Sequence, residues 1–132
     1  MKPLKKIHTI LYVADQEVSR VFYEKILMQQ PELHVAGMTE FHLTDHFILG
    51  LMPEKGIRKI LEDHTPDPAS GNGIPRCELY FHTADPDEDF RRAVEAGARA
   101  ISPVQDRTWG HTAGYVADPD GHIIAFANPI KI

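Results

Sequence analysis

Cysteine is nearly absent from this sequence of 132 residues: Cys77 stands alone. One thiol supports neither an internal disulfide framework nor a cysteine-based zinc finger, and its isolation fits a reducing compartment. Cationic charge is also scarce, with 14 Lys and Arg against 19 Asp and Glu and a formal net charge of −5. Binding a phosphate backbone needs a concentrated basic face, whereas the basic residues cluster only at Lys2, Lys5 and Lys6; nucleic acid is therefore not an expected partner. No apolar run approaches the roughly 20 residues of a membrane span. The opening imitates a secretory signal, but its apolar run Ile7–Ala14 is broken by His8 and Thr9 and meets Asp15 without a small-residue cleavage pattern. The expectation is a soluble, cytoplasmic protein that engages no membrane. With 42% apolar and 25% charged residues, the chain reads as globular rather than disordered.

What is present is an ordered alternation of elements. Lys6–Val13 is rich in Ile, Leu, Tyr and Val and reads as a strand. Asp15 follows as an N-cap, and Val18, Val21, Phe22 and Ile26 recur at helical spacing, with Pro31 beyond them. Strand-like runs follow at Leu33–Ala36, Glu40–Leu43 and Phe47–Met52, and a brief helix at Lys55–Asp63. The run His64–Pro75 carries three Pro and two Gly and reads as a connection. Its glycines do not complete a dinucleotide fingerprint, because Arg76 takes the third position.

The second half repeats the plan. Cys77–Phe81 reads as a strand, Asp85 or Asp87 caps a helix carrying Phe90, Ala93 and Val94, and Gly97 sits at its C-cap. Strands return around Ala100–Val104, Thr112–Ala117 and His122–Ala127, the last two joined by Asp118-Pro119-Asp120-Gly121, a type I turn signal. HTILYVAD from His8 matches ELYFHTAD from Glu78 at an offset of 70, so each half reads strand, helix, three strands.

Strand alternation separates a helix-facing set (Ile7, Thr9, Leu11, Val13; Cys77, Leu79, Phe81) from a mixed set. The mixed set contains His8, Ile10, Tyr12, Glu78, Tyr80 and His82, with Ile48, Gly50, Met52, Ile123, Ala125 and Ala127 from the closing strands. Rings and polar groups flanking small Gly50 and Ala125 suit a small-molecule cleft or, equally, a solvated outer face. Phe41 faces either cleft or core, and Tyr115 has no assignable face. Ser19, Ser70 and Ser102 lack a nucleophile elbow, and no histidine pair shows metalloprotease spacing.

HTILYVADQEVSRVFYEKIL, ELYFHTADPDEDFRRAVEAGA and WGHTAGYVADPDGHIIAFANP together resemble the vicinal oxygen chelate superfamily. That group includes glyoxalase I-like lyases, extradiol dioxygenases, fosfomycin-modifying enzymes and bleomycin-resistance proteins. The resemblance spans nearly the whole chain. It implies an α+β fold in which two βαβββ modules form a curved open mixed sheet around a cleft, helices on the outer face. It also implies a single domain, with modules at about 4–54 and 76–128 and a linker at 55–75, commonly within a homodimer.

Metal-using members draw ligands from the first and last strands of both modules. Carried over by position, the first-strand places fall on His8 and Glu78 and the last-strand places on Gly50 and Ala125, which have no donor atoms. A Lewis-acid ion generally takes three or more protein ligands; Tyr12, His82 and His111 are spare donors for a third. His8 and Glu78 thus ligate an ion, or form a buried pair joining the modules, or face a ligand as polar anchors. In relatives resembling bleomycin-binding proteins an aromatic at the place of Trp109 lines the cavity. The expected function is binding of an aromatic or amphipathic small molecule without a complete metal site and with no resident cofactor. Its contacts would be His8, Tyr12, Glu78, Tyr80, His82 and Trp109. The alternative is a metal-dependent lyase, isomerase or transferase of the glyoxalase I-like type, using Zn, Ni, Mn or Fe at His8 and Glu78.

Overall fold

The β-branched and aromatic run Ile7–Val13 forms strand β1 in the computed structural model, which describes residues 1–131. Helix α1 (Gln16–Leu27) follows, started by Asp15, whose carboxylate accepts hydrogen bonds from the Glu17 and Val18 amides at 3.0 Å each. The helix ends at Met28 in the left-handed region (φ 54°), before Pro31 is reached. Strands β2 (Leu33–Val35), β3 (Met38–Thr44) and β4 (Phe47–Pro53) complete the first sheet, in the order β1-β4-β3-β2. Helix α2 (Glu54–Leu61) forms where the sequence reads a brief helix over Lys55–Asp63, and a single 3-10 turn at Pro68–Gly71, capped by Asp67, lies within the His64–Pro75 connection.

The chain divides into two compact units, Met1–Asn72 and from Gly73 onward. The second unit is built from β5 (Glu78–His82), α3 (Pro86–Glu95), β6 (Arg99–Asp106), β7 (His111–Ala117) and β8 (Ile123–Pro129), with strand order β5-β8-β7-β6. In both sheets the first strand runs parallel to the last, and the remaining pairs are antiparallel. Each sheet is open and mixed, so the fold is α+β. The parallel pair requires a crossover, which the helix after the first strand begins.

Register shows the duplication more sharply than residue identity does. His8 lies beside Ile48 and Ile10 beside Gly50; Glu78 lies beside Ile123 and Tyr80 beside Ala125. Residues 70 apart therefore hold the same place against the closing strand. The helices echo one another too. Arg20 pairs with Glu17 and Glu24 in α1, as Arg91 pairs with Glu88 and Glu95 in α3. The α3 pairs are exposed on their helix and contribute little stability.

The apolar sheet faces hold the cores: Leu11, Val13, Phe41, Leu49 and Leu51 in the first unit, Leu79, Val116, Ile124 and Phe126 in the second. Phe41 is fully buried and belongs to the core. The buried stripe of α1 is Ser19, Phe22, Tyr23 and Ile26, while Val18 and Val21, which sequence spacing assigns to it, are exposed. Cys77 is also displaced from its expected place: it precedes β5 and is exposed rather than packed against a helix. The Asp118–Gly121 turn forms as its residues predict, with the Gly121 amide bonded to the Asp118 carbonyl at 3.0 Å and Gly121 at φ 91°. Among the described residues, no helix is long and apolar enough to cross a membrane.

Gly114 sits in β7 where α3 crosses it. A Cβ there would stand 2.5 Å from Val104 Cγ2 and 2.9 Å from Phe90 Cδ2. Gly114→Ala is expected to destabilise the protein by about 1–3 kcal/mol through overpacking, read as a lower urea midpoint. Loss of the cap in Asp15→Ala is expected to cost about 1 kcal/mol by the same measurement.

Candidate functional site

Opposite the apolar faces, each sheet presents a polar and aromatic face. In the second unit the strand registers place Tyr80, Ala125, Tyr115 and Ser102 in one row across β5, β8, β7 and β6. The neighbouring row holds His82, Ala127, Ala113 and Gln105. Alanines therefore form the middle of this face, with rings on either side. Tyr115, unassigned from sequence, thereby shares the face of Tyr80.

Four side chains assemble at the β5 edge and the turn before β7. The Tyr80 hydroxyl lies 2.6 Å from His111 Nδ1, and Trp109 Nε1–H donates to the Tyr80 oxygen at 2.9 Å. Indole N–H can only donate, so the phenol oxygen accepts from Trp109, and giving its own hydrogen to His111 Nδ1 puts its remaining donor to use. That direction corresponds to neutral His111 with its proton on Nε2. The His82 ring meets both Tyr80 (5.5 Å between centroids) and His111 (5.3 Å) edge-on, and Tyr80 stacks on His111 at 5.7 Å. Trp109 is 54% exposed, leaving its indole available to a ligand.

Beside this cluster, the Arg107 guanidinium lies over the Tyr115 ring, 5.1 Å from its centroid. Burial raises the Tyr115 phenol above the ordinary tyrosine range; the charge of Glu78 and the neighbouring Tyr80 add to the shift, and Arg107 opposes it. Glu78 itself is exposed at the start of β5.

The first unit's equivalent face differs. His8 Nδ1 lies 3.7 Å from Glu40 Oε2. Glu40 is the β3 partner of Gly50, so a carboxylate stands beside the position that lacks a donor. The space expected above Gly50 is taken: a Cβ there would meet Ile10 Cγ1 at 3.1 Å and Met38 Sδ at 3.3 Å. Tyr12 stands on the same face as His8, partly exposed.

Among the described residues, three or more converging His, Cys, Asp or Glu donors occur at Glu62, Asp63 and His64 and at Asp118, Asp120 and His122. Neither group is on these faces. The Asp118 carboxylate accepts from the Asp120 and His122 amides at 2.9 Å each, a turn-building arrangement. The residues at the four ligand positions do not fit a four-donor ion site: Gly50 and Ala125 offer no atom, and side chains fill the space at Gly50.

Of the six contacts expected from sequence, Tyr80, His82 and Trp109 come together, with Glu78 on the same sheet face; His8 and Tyr12 lie on the first unit's face. Sequence reasoning undervalued His111 and passed over Arg107 and Glu40. Counting back from the Asp118–Gly121 turn with Ala117 opposite Ile123 would have placed Tyr115 opposite Ala125.

A sequence profile described as glyoxalase-like domain matches residues 6–131. An uncharacterized protein of Mycobacterium bovis is 32% identical over 84 residues, covering 58% of this chain and 55% of its own. The chain thus spans about half the length of the curated relatives it matches. A glyoxalase-related enzyme from Fulvimarina pelagi superposes with a TM-score of 0.80 at 22% identity, covering 95% of this chain and 88% of that one. A glyoxalase/bleomycin resistance protein/dioxygenase family enzyme from Burkholderia phytofirmans gives 0.79 at 14% identity, with 93% and 97% covered. At these identities the two structures speak for the fold alone.

Tyr80→Phe removes the acceptor of Trp109 and the partner of His111. It is expected to abolish the Nε2–H preference of neutral His111 in long-range nitrogen–proton NMR spectra and to cost about 1 kcal/mol. An unchanged tautomer would refute the assigned hydrogen-bond direction.

Proposed function

The chain belongs to the glyoxalase-like domain family, and from that premise we propose that it binds an aromatic or amphipathic small molecule without a complete metal site. The observation that carries this reading is the assembly of Tyr80, His82, Trp109 and His111 on one sheet face. Flat rings with few, placed polar groups are the ordinary lining of a small-molecule site. Trp109 supplies an exposed stacking surface, and Tyr80 and His111 hold its neighbourhood in one hydrogen-bonded geometry. Gly50 and Ala125 in the places of two family ligands support the absence of a full ion site. A soluble cytoplasmic homodimer remains part of this proposal, as does a two-module arrangement with modules at about 4–54 and 76–128.

A second reading is favoured by the His8–Glu40 approach of 3.7 Å. There a divalent ion would take donors from His8 and Glu40, and the chain would be a metal-dependent lyase, isomerase or transferase.

The readings separate on metal content and ligand binding. Under the first, purified protein carries no stoichiometric Zn, Ni, Mn or Fe by elemental analysis. Ligand-induced quenching of Trp109 then survives EDTA and weakens about tenfold or more in Tyr80→Ala. Stoichiometric metal that is released by His8→Ala, with ligand binding lost alongside it, would establish the second reading and end the first.

A further inference from the structure

Arg107 is more tightly held than a surface arginine needs to be. Its Nε–H donates to the Ala113 carbonyl at 3.0 Å, and Nη2 donates to Ser102 Oγ at 2.9 Å and to the Pro103 carbonyl at 2.7 Å. All three acceptors are neutral. The pairing of β6 with β7 shifts register on either side of Ser102. The guanidinium plane is further fixed over the Tyr115 ring. Among the described residues, no carboxylate pairs with this half-buried cation, and its Nη1 edge has no partner. Arg20, Arg91 and Arg92 each pair with acidic neighbours on their own helix. A partly desolvated charge gains most from a counter-charge.

The Tyr115 hydroxyl likewise has no hydrogen-bond partner among the described residues. It shares a row with Tyr80 on the face that carries the aromatic cluster. Arg107 Nη1 and the Tyr115 O–H are thus two unused donors beside the proposed ring-binding surface. Two donors match the two oxygens of a carboxylate. Glu78 is the β5 residue one row from Tyr80 on that face, and its charge would oppose a doubly charged phosphate.

We propose that Arg107 and Tyr115 form a carboxylate-binding subsite, making the ligand of this face an aromatic carboxylate. The inference rests on the small-molecule reading above and narrows its substrate class. Ring stacking falls to Trp109 and Tyr80, and the carboxylate is oriented by the fixed guanidinium edge.

Trp109 is the single tryptophan, so its fluorescence reports binding directly. The probes are benzoate, phenylacetate and 3-phenylpropionate, each titrated beside its own primary amide at neutral pH. At least one carboxylate is expected to bind about tenfold or more tightly than its amide, the factor a charge-assisted hydrogen bond supplies. Arg107→Gln removes that preference, and Tyr115→Phe reduces it several-fold. Glu78→Gln tightens carboxylate binding. Because Arg107 also ties down β6 and β7, Tyr115→Phe carries the test if Arg107→Gln does not fold. Equal affinity for acids and amides, or a preference that persists in Tyr115→Phe and in folded Arg107→Gln, overturns the carboxylate subsite and leaves the binding reading standing. Absence of quenching by every acid and amide removes both.

Discussion

Parallel pairing of the first strand with the last in each unit is the constraint from which the rest follows. Two strands running the same way cannot be joined by a tight turn, so the chain must cross over. In this protein it does so through α1 or α3 followed by two antiparallel strands. The helix buries one sheet face and leaves the other to polar and aromatic residues. Parallel register then decides which residues meet: His8 with Ile48 and Ile10 with Gly50, Glu78 with Ile123 and Tyr80 with Ala125. Every candidate functional group on β1 and β5 stands on the face the helix does not cover.

The two units use this frame differently. The row that reads Ile10, Gly50, Glu40 in the first unit reads Tyr80, Ala125, Tyr115 in the second. In the first, an aliphatic side chain folds over the glycine and a carboxylate approaches His8. In the second, two tyrosines flank an alanine and recruit Trp109, His111 and Arg107. One backbone plan thus yields an aliphatic, acidic face and an aromatic one rich in hydrogen-bond donors. The ring-bearing face is the better suited to an organic ligand, because burial of flat apolar area supplies affinity while few fixed donors supply orientation.

Much of this was readable from local pattern. Strand alternation, the cap at Asp15, a cap at Asp85 or Asp87 (Asp85 in the structure) and the Asp118–Gly121 turn depend on residues within one element, so β1, α1, β5, α3 and the β7–β8 hairpin appear almost where expected. Helix faces were less readable. Val18 and Val21 fit an apolar period, yet the core took Ser19 and Tyr23 instead, since the direction of the sheet, not hydropathy alone, selects the buried stripe. Cys77 was misplaced because β5 begins one residue later than its apolar run.

The amino-acid order by itself determined the duplicated strand–helix–strand plan and the side of each strand on which His8, Tyr12, Glu78, Tyr80 and His82 stand, because both are set by periodicities of two and 3.6 residues. Tertiary structure decided which side chains meet. The Tyr80–His111 and Trp109–Tyr80 bonds join residues 31 and 29 positions apart, and Arg107, just past the end of β6, lies over the Tyr115 ring of β7. Contacts across that separation depend on strand register and loop path, neither of which is encoded in the local pattern of any one segment.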